Sequence, residues 1–164
     1  MVIMEVKINN EEYATHQIVL KEYISRTTKP ILELGSGDSS TRQIHEWTEN
    51  YILTVDDNEK WLNKYLDLKC DRHDFRLLYQ YPDYDDYKWG LVFVDLSTQE
   101  LRKKAIIEYK DADYLVIHDG NYMFRDSFTK EEFSALFKYW KEYDELFPTT
   151  VVASNKYEID KEKP

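Results

Sequence analysis

Four apolar runs that end abruptly in polar residues constrain this chain more than any other feature. Ile31-Leu32-Glu33-Leu34 stops at Gly35, and Tyr51-Ile52-Leu53-Thr54-Val55 stops at Asp56-Asp57. Leu91-Val92-Phe93-Val94 stops at Asp95, and Tyr114-Leu115-Val116-Ile117 at His118-Asp119-Gly120. These runs are too short for helices and too continuously apolar for strands with one wet face, so they predict strands buried on both sides. Between them lie stretches with helical spacing: 13–25 (Ile18, Val19, Tyr23, Ile24), 40–49, 59–67 (Trp61, Leu62, Tyr65) and 98–109 (Leu101, Ala105, Ile106, Tyr109). Lys29-Pro30 closes the first helix, because proline lacks an N–H and disfavours helix before it. Ser39 or Ser40 is the expected cap of the second. Phe75–Tyr79 and Thr149–Ala153 complete the strand set, and Thr129 with Glu132 opens a helix over 130–142 through a capping box. The alternation predicts an α/β fold, a mainly parallel twisted sheet with helices on both faces. Residues 120–130 are the one long connection and a candidate lid.

Composition narrows the function classes. A length of 164 residues predicts one domain. Lys+Arg 22 against Asp+Glu 32 gives a net charge of -10, which argues against a protein that coats nucleic acid. Aromatics at 15% exclude a disordered chain. No apolar run is long enough to span a membrane, and Met1-Val2-Ile3-Met4-Glu5 is not a signal peptide, so a soluble cytoplasmic protein is expected. Cys70 is alone, which precludes an intrachain disulfide, fits a reducing compartment and gives zinc no support. His45 and His73 lie away from strand ends and read as surface, and the Tyr-rich, acidic stretch 81–88 reads as a loop.

Ligands of open parallel sheets bind at the carboxyl ends of strands. The chain has only four glycines, against about eleven for average usage. Two of them, Gly35 and Gly37, share one strand-to-helix turn, where glycine permits a tight bend and close backbone approach to a ligand. Asp56, at the end of the next strand, is placed to accept hydrogen bonds from ribose hydroxyls; alone it would read equally as a helix cap. A dinucleotide site wants Gly-x-Gly-x-x-Gly, but the sixth position here is Ser40, and the chain is short for an added substrate domain. S-adenosylmethionine has no phosphate and suits Glu33-Leu34-Gly35-Ser36-Gly37-Asp38-Ser39 better.

Residues 33–39 resemble the first motif of the class I S-adenosylmethionine-dependent methyltransferases, with Ser39 in place of its last glycine. Asp56 matches the acidic residue after the second strand, Val92–Asp95 the motif after the fourth, and Val116–Asp119 the end of the fifth. Tyr13-Ala14-Thr15-His16, Leu32–Thr41, Trp89–Asp95, Val116–Asp119 and Thr149–Asn155 extend the resemblance to a group of small methyltransferase-like proteins, over roughly residues 12–155. Those relatives tend to carry Asp-His where this chain has Asp95-Leu96. The resemblance implies a Rossmann-like core over 29–156, an N-terminal helical segment (1–28) over the cofactor site and a charged, frayed tail (157–164).

It also implies roles. Gly35 and Gly37 pass beneath the methionine part of S-adenosylmethionine, with Ser36 and Ser39 in the same loop. Asp56, followed by Asp57, holds the ribose, Glu33 orders the loop or reaches the cofactor through water, and adenine lies against the turn at 79–86. Thr15 and His16 contact the methionine carboxylate or the acceptor, or else His16 is a surface or capping residue. Asp95, beside the transferred methyl, orients the acceptor or acts as base. His118, next to Asp119, is the natural general base, since free histidine titrates near neutrality; a satisfied core-edge histidine is the alternative. Asp95, Asp119 and Asn121 resemble the oxygen ligands of metal-dependent members, but Gly120 interrupts the last pair, so no metal is expected. The function implied is methyl transfer to a small-molecule acceptor, without nucleic acid or membrane. The acceptor site would come from 1–28, from 120–130, or from a partner subunit in a homodimer. A non-catalytic binding module of the same fold is the rival reading.

Overall fold

The computed structural model describes residues 14–78 and 88–160. The elements in chain order are α1 (Gln17–Ile24), β1 (Ile31–Leu34), α2 (Thr41–Trp47), β2 (Ile52–Asp56), α3 (Glu59–Asn63), β3 (His73–Leu77), β4 (Leu91–Val94), α4 (Gln99–Glu108), β5 (Tyr114–His118), α5 (Gly120–Asp126), α6 (Lys130–Leu136), β6 (Tyr139–Tyr143) and β7 (Thr150–Ser154). One seven-stranded sheet runs in the order β3-β2-β1-β4-β5-β7-β6. β1 to β5 are parallel, and β7 inserts antiparallel between β5 and β6. The order reverses between β1 and β4, so the glycine turn after β1 and Asp95 after β4 meet at the switch point where such sheets bind ligands.

The apolar runs form strands because both sheet faces are covered, and every residue of β1, β2, β4, β5 and β7 is buried. Leu32, Leu53, Val92 and Leu115 face a core with Ile106 of α4, Met123 of α5 and Phe133 of α6. Ile31, Ile52, Phe93 and Val116 point the other way, against Leu20, Tyr23 and Ile24 of α1 and Ile44 of α2. Glu33, Thr54 and His118 alternate in phase with this second set. The polar residues of the strands thus lie under α1 and α2.

Several elements differ from the sequence expectation. Residues 120–130 are not a lid loop: α5 fills most of that span. The expected helix over 130–142 keeps its capping box, with Thr129 Oγ1 accepting from the Glu132 N–H at 3.0 Å, but ends at Leu136 and gives way to β6. Phe133, Phe137 and Trp140 do pack together, with ring centroids 4.8 and 5.5 Å from Phe133. Their helical spacing therefore reports real packing across a helix-to-strand junction. The third strand is His73–Leu77, two residues earlier than expected, and the helix at 59–67 splits into α3 and a 3₁₀ turn at Leu66–Leu68. The tail up to residue 160 is not frayed: Lys156 Nζ bonds Asp113 at 3.1 Å, and Asp160 pairs with Lys141. The 81–88 loop, the adenine turn and Tyr13 lie wholly or mostly outside the described residues. No helix among the described residues is long and apolar enough to cross a membrane.

Candidate functional site

The glycine turn is fixed from both sides. Gly35 has φ +98°, and a Cβ there would lie 2.2 Å from the backbone oxygen of Asp95. No other residue fits, since the positive φ and the close approach act together. The Gly35 N–H donates to Val55 O at 2.8 Å, and the Asp95 N–H donates to Leu34 O at 2.7 Å. A Cβ on Gly37, by contrast, would meet only Ser40 Oγ, at 3.5 Å. The protein leaves the space beside Gly37 open.

Asp56 is the anchor of this turn. Its Oδ2 accepts from the Ser36 N–H at 2.7 Å and the Ser36 hydroxyl at 2.5 Å, and its Oδ1 accepts from the Asn58 N–H at 2.8 Å. Three of about four lone-pair positions are thereby used inside the protein. Asp57 is exposed and, among the described residues, accepts only from the Ser97 hydroxyl, at 2.7 Å. Ser39 presents its backbone carbonyl to α1, where it accepts from Gln17 at 2.9 Å and lies 3.2 Å from His16 Nε2.

Glu33 does not reach toward a ligand. It is fully buried, with Oε1 accepting from Ser40 and Thr41 hydroxyls at 2.6 and 3.1 Å and Oε2 from Thr54 at 2.8 Å. Ser40 therefore stands at the N-cap of α2 without capping it through its side chain. Burial raises the Glu33 carboxyl to about 7 despite these bonds. Beyond Thr54 lies His73, with Nε2 2.8 Å from the Thr54 hydroxyl, and His45 Nδ1 stands 2.9 Å from His73 Nδ1. Arg72 donates to His45 Nε2 at 3.2 Å. His73 is thus buried in the sheet rather than on the surface, and His45 is half-buried beside it. Burial, with His45 and Arg72 adding to it, lowers His73 to about 3.

The second group lies at the ends of β4 and β5. His118 is buried, its Nδ1 3.2 Å from Asp95 Oδ1 and its Nε2 3.4 Å from Thr15 Oγ1. An ionised Asp95 can only accept, so His118 Nδ1 donates to it, while Nε2 faces the Thr15 hydroxyl and lies 3.7 Å from Asp119 Oδ1. The Thr15 hydroxyl donates to Pro148 O at 2.7 Å. His16 is buried between Phe93 and His118, at 4.9 and 4.5 Å between ring centroids, and its Nδ1 has no partner among the described residues. It is therefore neither a surface residue nor a side-chain cap of α1. Burial, with His118 adding to it, lowers His16 to about 3.

Arg102 of α4 is the residue that sequence reasoning missed. It is buried and donates to Asp95 Oδ1 at 2.7 Å, Asp119 Oδ2 at 3.0 Å and the carbonyls of Leu96 and His118. Its signal was faint, one basic residue on the apolar side of a helix. Asp95, His118 and Asp119 offer ligand atoms within 4.8 Å of one another, the spacing of a metal site. Both carboxylates are ion-paired with the guanidinium, however, and Asn121 turns its oxygen to the Thr149 N–H at 3.0 Å.

The fold has known counterparts. The chain is similar to the methyltransferase domain of bacterial CtHen1-C, with 13% identity and a TM-score of 0.59 over 90% of this chain and 100% of that one. The fold is that of the class I methyltransferases. A similar structure is the RNA methyltransferase from Salinibacter ruber in complex with S-adenosyl-L-homocysteine (16% identity, TM-score 0.52, 89% of this chain and 95% of that one). Another is the PH0226 protein from Pyrococcus horikoshii OT3 (14%, 0.56, 90% and 92%). No family model matches the sequence, and no curated protein matches it significantly.

Proposed function

We propose that this protein transfers a methyl group from S-adenosylmethionine to a small-molecule acceptor. The observation that carries this reading is the glycine turn locked against Asp95 at the switch point of a methyltransferase fold, with open space beside Gly37. The buried Nδ1 of His16 next to that turn, without a partner among the described residues, is a second fit to a polar ligand. In this reading Gly35, Ser36, Gly37 and Ser39 hold the methionine part of the cofactor, with Thr15 and His16 above it. Asp57 and the remaining lone pair of Asp56 take the ribose hydroxyls, and Glu33 acts indirectly by bracing the loop. A small acceptor, rather than a nucleic acid, suits the net charge of -10.

When bound at the Gly35–Ser39 turn, S-adenosylmethionine would supply a methyl activated on a sulfonium to the acceptor's lone pair. The protein's main task is then to hold donor and acceptor in line. Asp95 orients His118, and the His118 Nε2 lone pair takes the acceptor's proton by way of the Thr15 hydroxyl. Asp119 and Arg102 fix Asp95 and His118 in place.

Calorimetric titration with S-adenosylmethionine and, separately, S-adenosylhomocysteine tests the reading, and micromolar binding of both is expected. A folded protein that bound neither would end it. One observation favours a second reading, a non-catalytic S-adenosylmethionine-binding module: Arg102 already neutralises both acids at the strand ends. Binding without turnover across an acceptor screen would select that module.

A further inference from the structure

A cavity of about 290 Å³ opens between α1 and β6–β7, with Thr15, the neighbour of His118, in its lining. Thr15, Ile18, Tyr23, Tyr143, Glu145 and Thr150 are among its lining residues. Of the residues that take part in the proposed methyl transfer, Thr15 lines it. Three features give it a chemical character.

At its buried end sits Thr150. This residue is 2% exposed, and its hydroxyl has no hydrogen-bond partner among the described residues. A buried hydroxyl without a partner is destabilising, so it marks a place where a ligand group would be welcome. Thr150 is registered opposite His118 in the β5–β7 pair, so both side chains project from the same face of the sheet. Thr15 lines the same cavity, and its hydroxyl lies 3.4 Å from His118 Nε2. The polar end of the cavity is therefore the end that adjoins the base.

The walls are apolar and aromatic. Ile18 is 50% exposed into this region, an unusual state for a β-branched aliphatic side chain beside a core helix. The Tyr23 and Tyr143 hydroxyls bond each other at 2.9 Å, and Tyr143 donates to Asp160, so the rings are held as fixed walls. The mouth is acidic. Of its three carboxylates, Glu22 pairs with Arg26 and Asp160 with Lys141, while Glu145 is exposed with no salt bridge among the described residues.

From this arrangement we propose that the cavity is the acceptor site and that the acceptor is a small hydroxy-amine. Its hydroxyl sits at Thr150 and Thr15, its apolar body lies between Ile18 and the two tyrosines, and its ammonium faces Glu145. The assignment as acceptor site rests on the methyl-transfer reading; the pocket and its ligand class do not. The atom methylated is the hydroxyl oxygen. Its proton passes to the Thr15 oxygen as the Thr15 proton turns from Pro148 O to His118 Nε2, the oxygen lone pair forms the bond to the methyl carbon, and the broken C–S bond leaves its pair on sulfur. An aryl or alkyl hydroxyl needs such a base, which gives the Asp95–His118 pair a task that a neutral amine acceptor would not.

The test is a calorimetric titration of the full chain with tyramine, phenethylamine (no hydroxyl) and 4-ethylphenol (no amine), each with and without S-adenosylhomocysteine. Tyramine is expected to bind, and each truncated probe to bind about tenfold or more weakly, the worth of one good polar contact. Glu145→Gln should weaken tyramine but not 4-ethylphenol. Thr150→Val, nearly isosteric and at home in a strand, should weaken tyramine but not phenethylamine. S-adenosylhomocysteine affinity should be unchanged in both, which also shows that they fold. Tyramine that fails to bind, or binds no better than its truncations, or ignores both substitutions, overturns the pocket assignment while leaving cofactor binding standing. If the homocysteine derivative fails on wild type but the probes discriminate as expected, the methyl-transfer reading falls and the pocket survives.

Discussion

Two clusters of carboxylate, threonine and histidine lie under α1 and α2 on the same face of the sheet, and they are built to different ends. On the β1–β2–β3 side, Glu33, Thr54, His73, His45 and Arg72 form an unbroken chain of contacts between 2.8 and 3.2 Å. Donors run consistently from Arg72 to Glu33: guanidinium to His45, His45 to His73, His73 to Thr54, Thr54 to the carboxylate. Each histidine gives one proton and accepts one, so both are neutral and complete. On the β4–β5 side, Asp95, His118, Thr15 and His16 use the same residue types, yet His16 Nδ1 has no partner among the described residues and the cluster adjoins a cavity through Thr15. A closed polar network holds a loop rigid; an open one leaves atoms for a ligand. In the proposed function the closed cluster is scaffold and the open one carries the chemistry.

Gly35 joins the two halves, because its N–H bonds β2 and its missing side chain admits the backbone of Asp95. Gly35→Ala should therefore have the largest effect, costing on the order of 3 kcal/mol by adding backbone strain to a steric clash. Urea unfolding measures it, and S-adenosylhomocysteine binding should be lost in parallel. A cost under about 1 kcal/mol would mean that the clusters are not coupled through this turn.

How much of this was legible beforehand follows from where each signal resides. The strand ends were legible because apolar runs and their polar stops are local. The closed cluster was not, although Glu33 and Thr54 stand out as polar residues inside apolar strands. Only the parallel register, which sets Glu33 beside Thr54, and a strand starting at His73 bring the chain together. β6 was missed because an edge strand is decided by its partner, here β7, and its aromatic residues continue the helical spacing of α6. Thr15 and His16 were legible as site candidates but not as buried residues, since the docking of α1 decides that. Arg102 was illegible because a single arginine on a helix gives no hint that two acids from other elements surround it.

Acid should distinguish the clusters next. His16 and His73 are both held at about 3 by burial, below the ordinary 6.5. The unfolded chain therefore binds more protons, and stability falls as pH drops from 6.5 toward 3. At pH 5 a histidine kept neutral in the fold costs roughly 2 kcal/mol. Glu33 has the opposite sign: raised to about 7, its contribution is present below 4.5 and is lost as pH rises through 7. Urea unfolding at pH 6.5 and 5 should show His16→Asn and His73→Asn each flattening the slope by about one proton. S-adenosylhomocysteine should alter the His16 contribution and leave that of His73 unchanged. A slope indifferent to both substitutions would mean that neither histidine is neutral in the fold.

The finest comparison is the same change made once in each cluster. Thr54→Val keeps shape but strips Glu33 Oε2 and His73 Nε2 of a shared partner, at a cost of about 2 kcal/mol. It should leave S-adenosylhomocysteine bound and turnover little changed, because nothing at Thr54 faces a ligand. Thr15→Val removes one hydroxyl that serves Pro148 O and adjoins His118, at a cost of about 1 kcal/mol. Its turnover, with tyramine or whichever acceptor replaces it, should fall on the order of 10²-fold, because the proton path from cavity to base is cut. The two variants thus rank in opposite orders by unfolding and by rate. If Thr54→Val proved the slower enzyme and Thr15→Val the less stable fold, the closed cluster would be the catalytic one and the division drawn between the two halves of the sheet would be reversed.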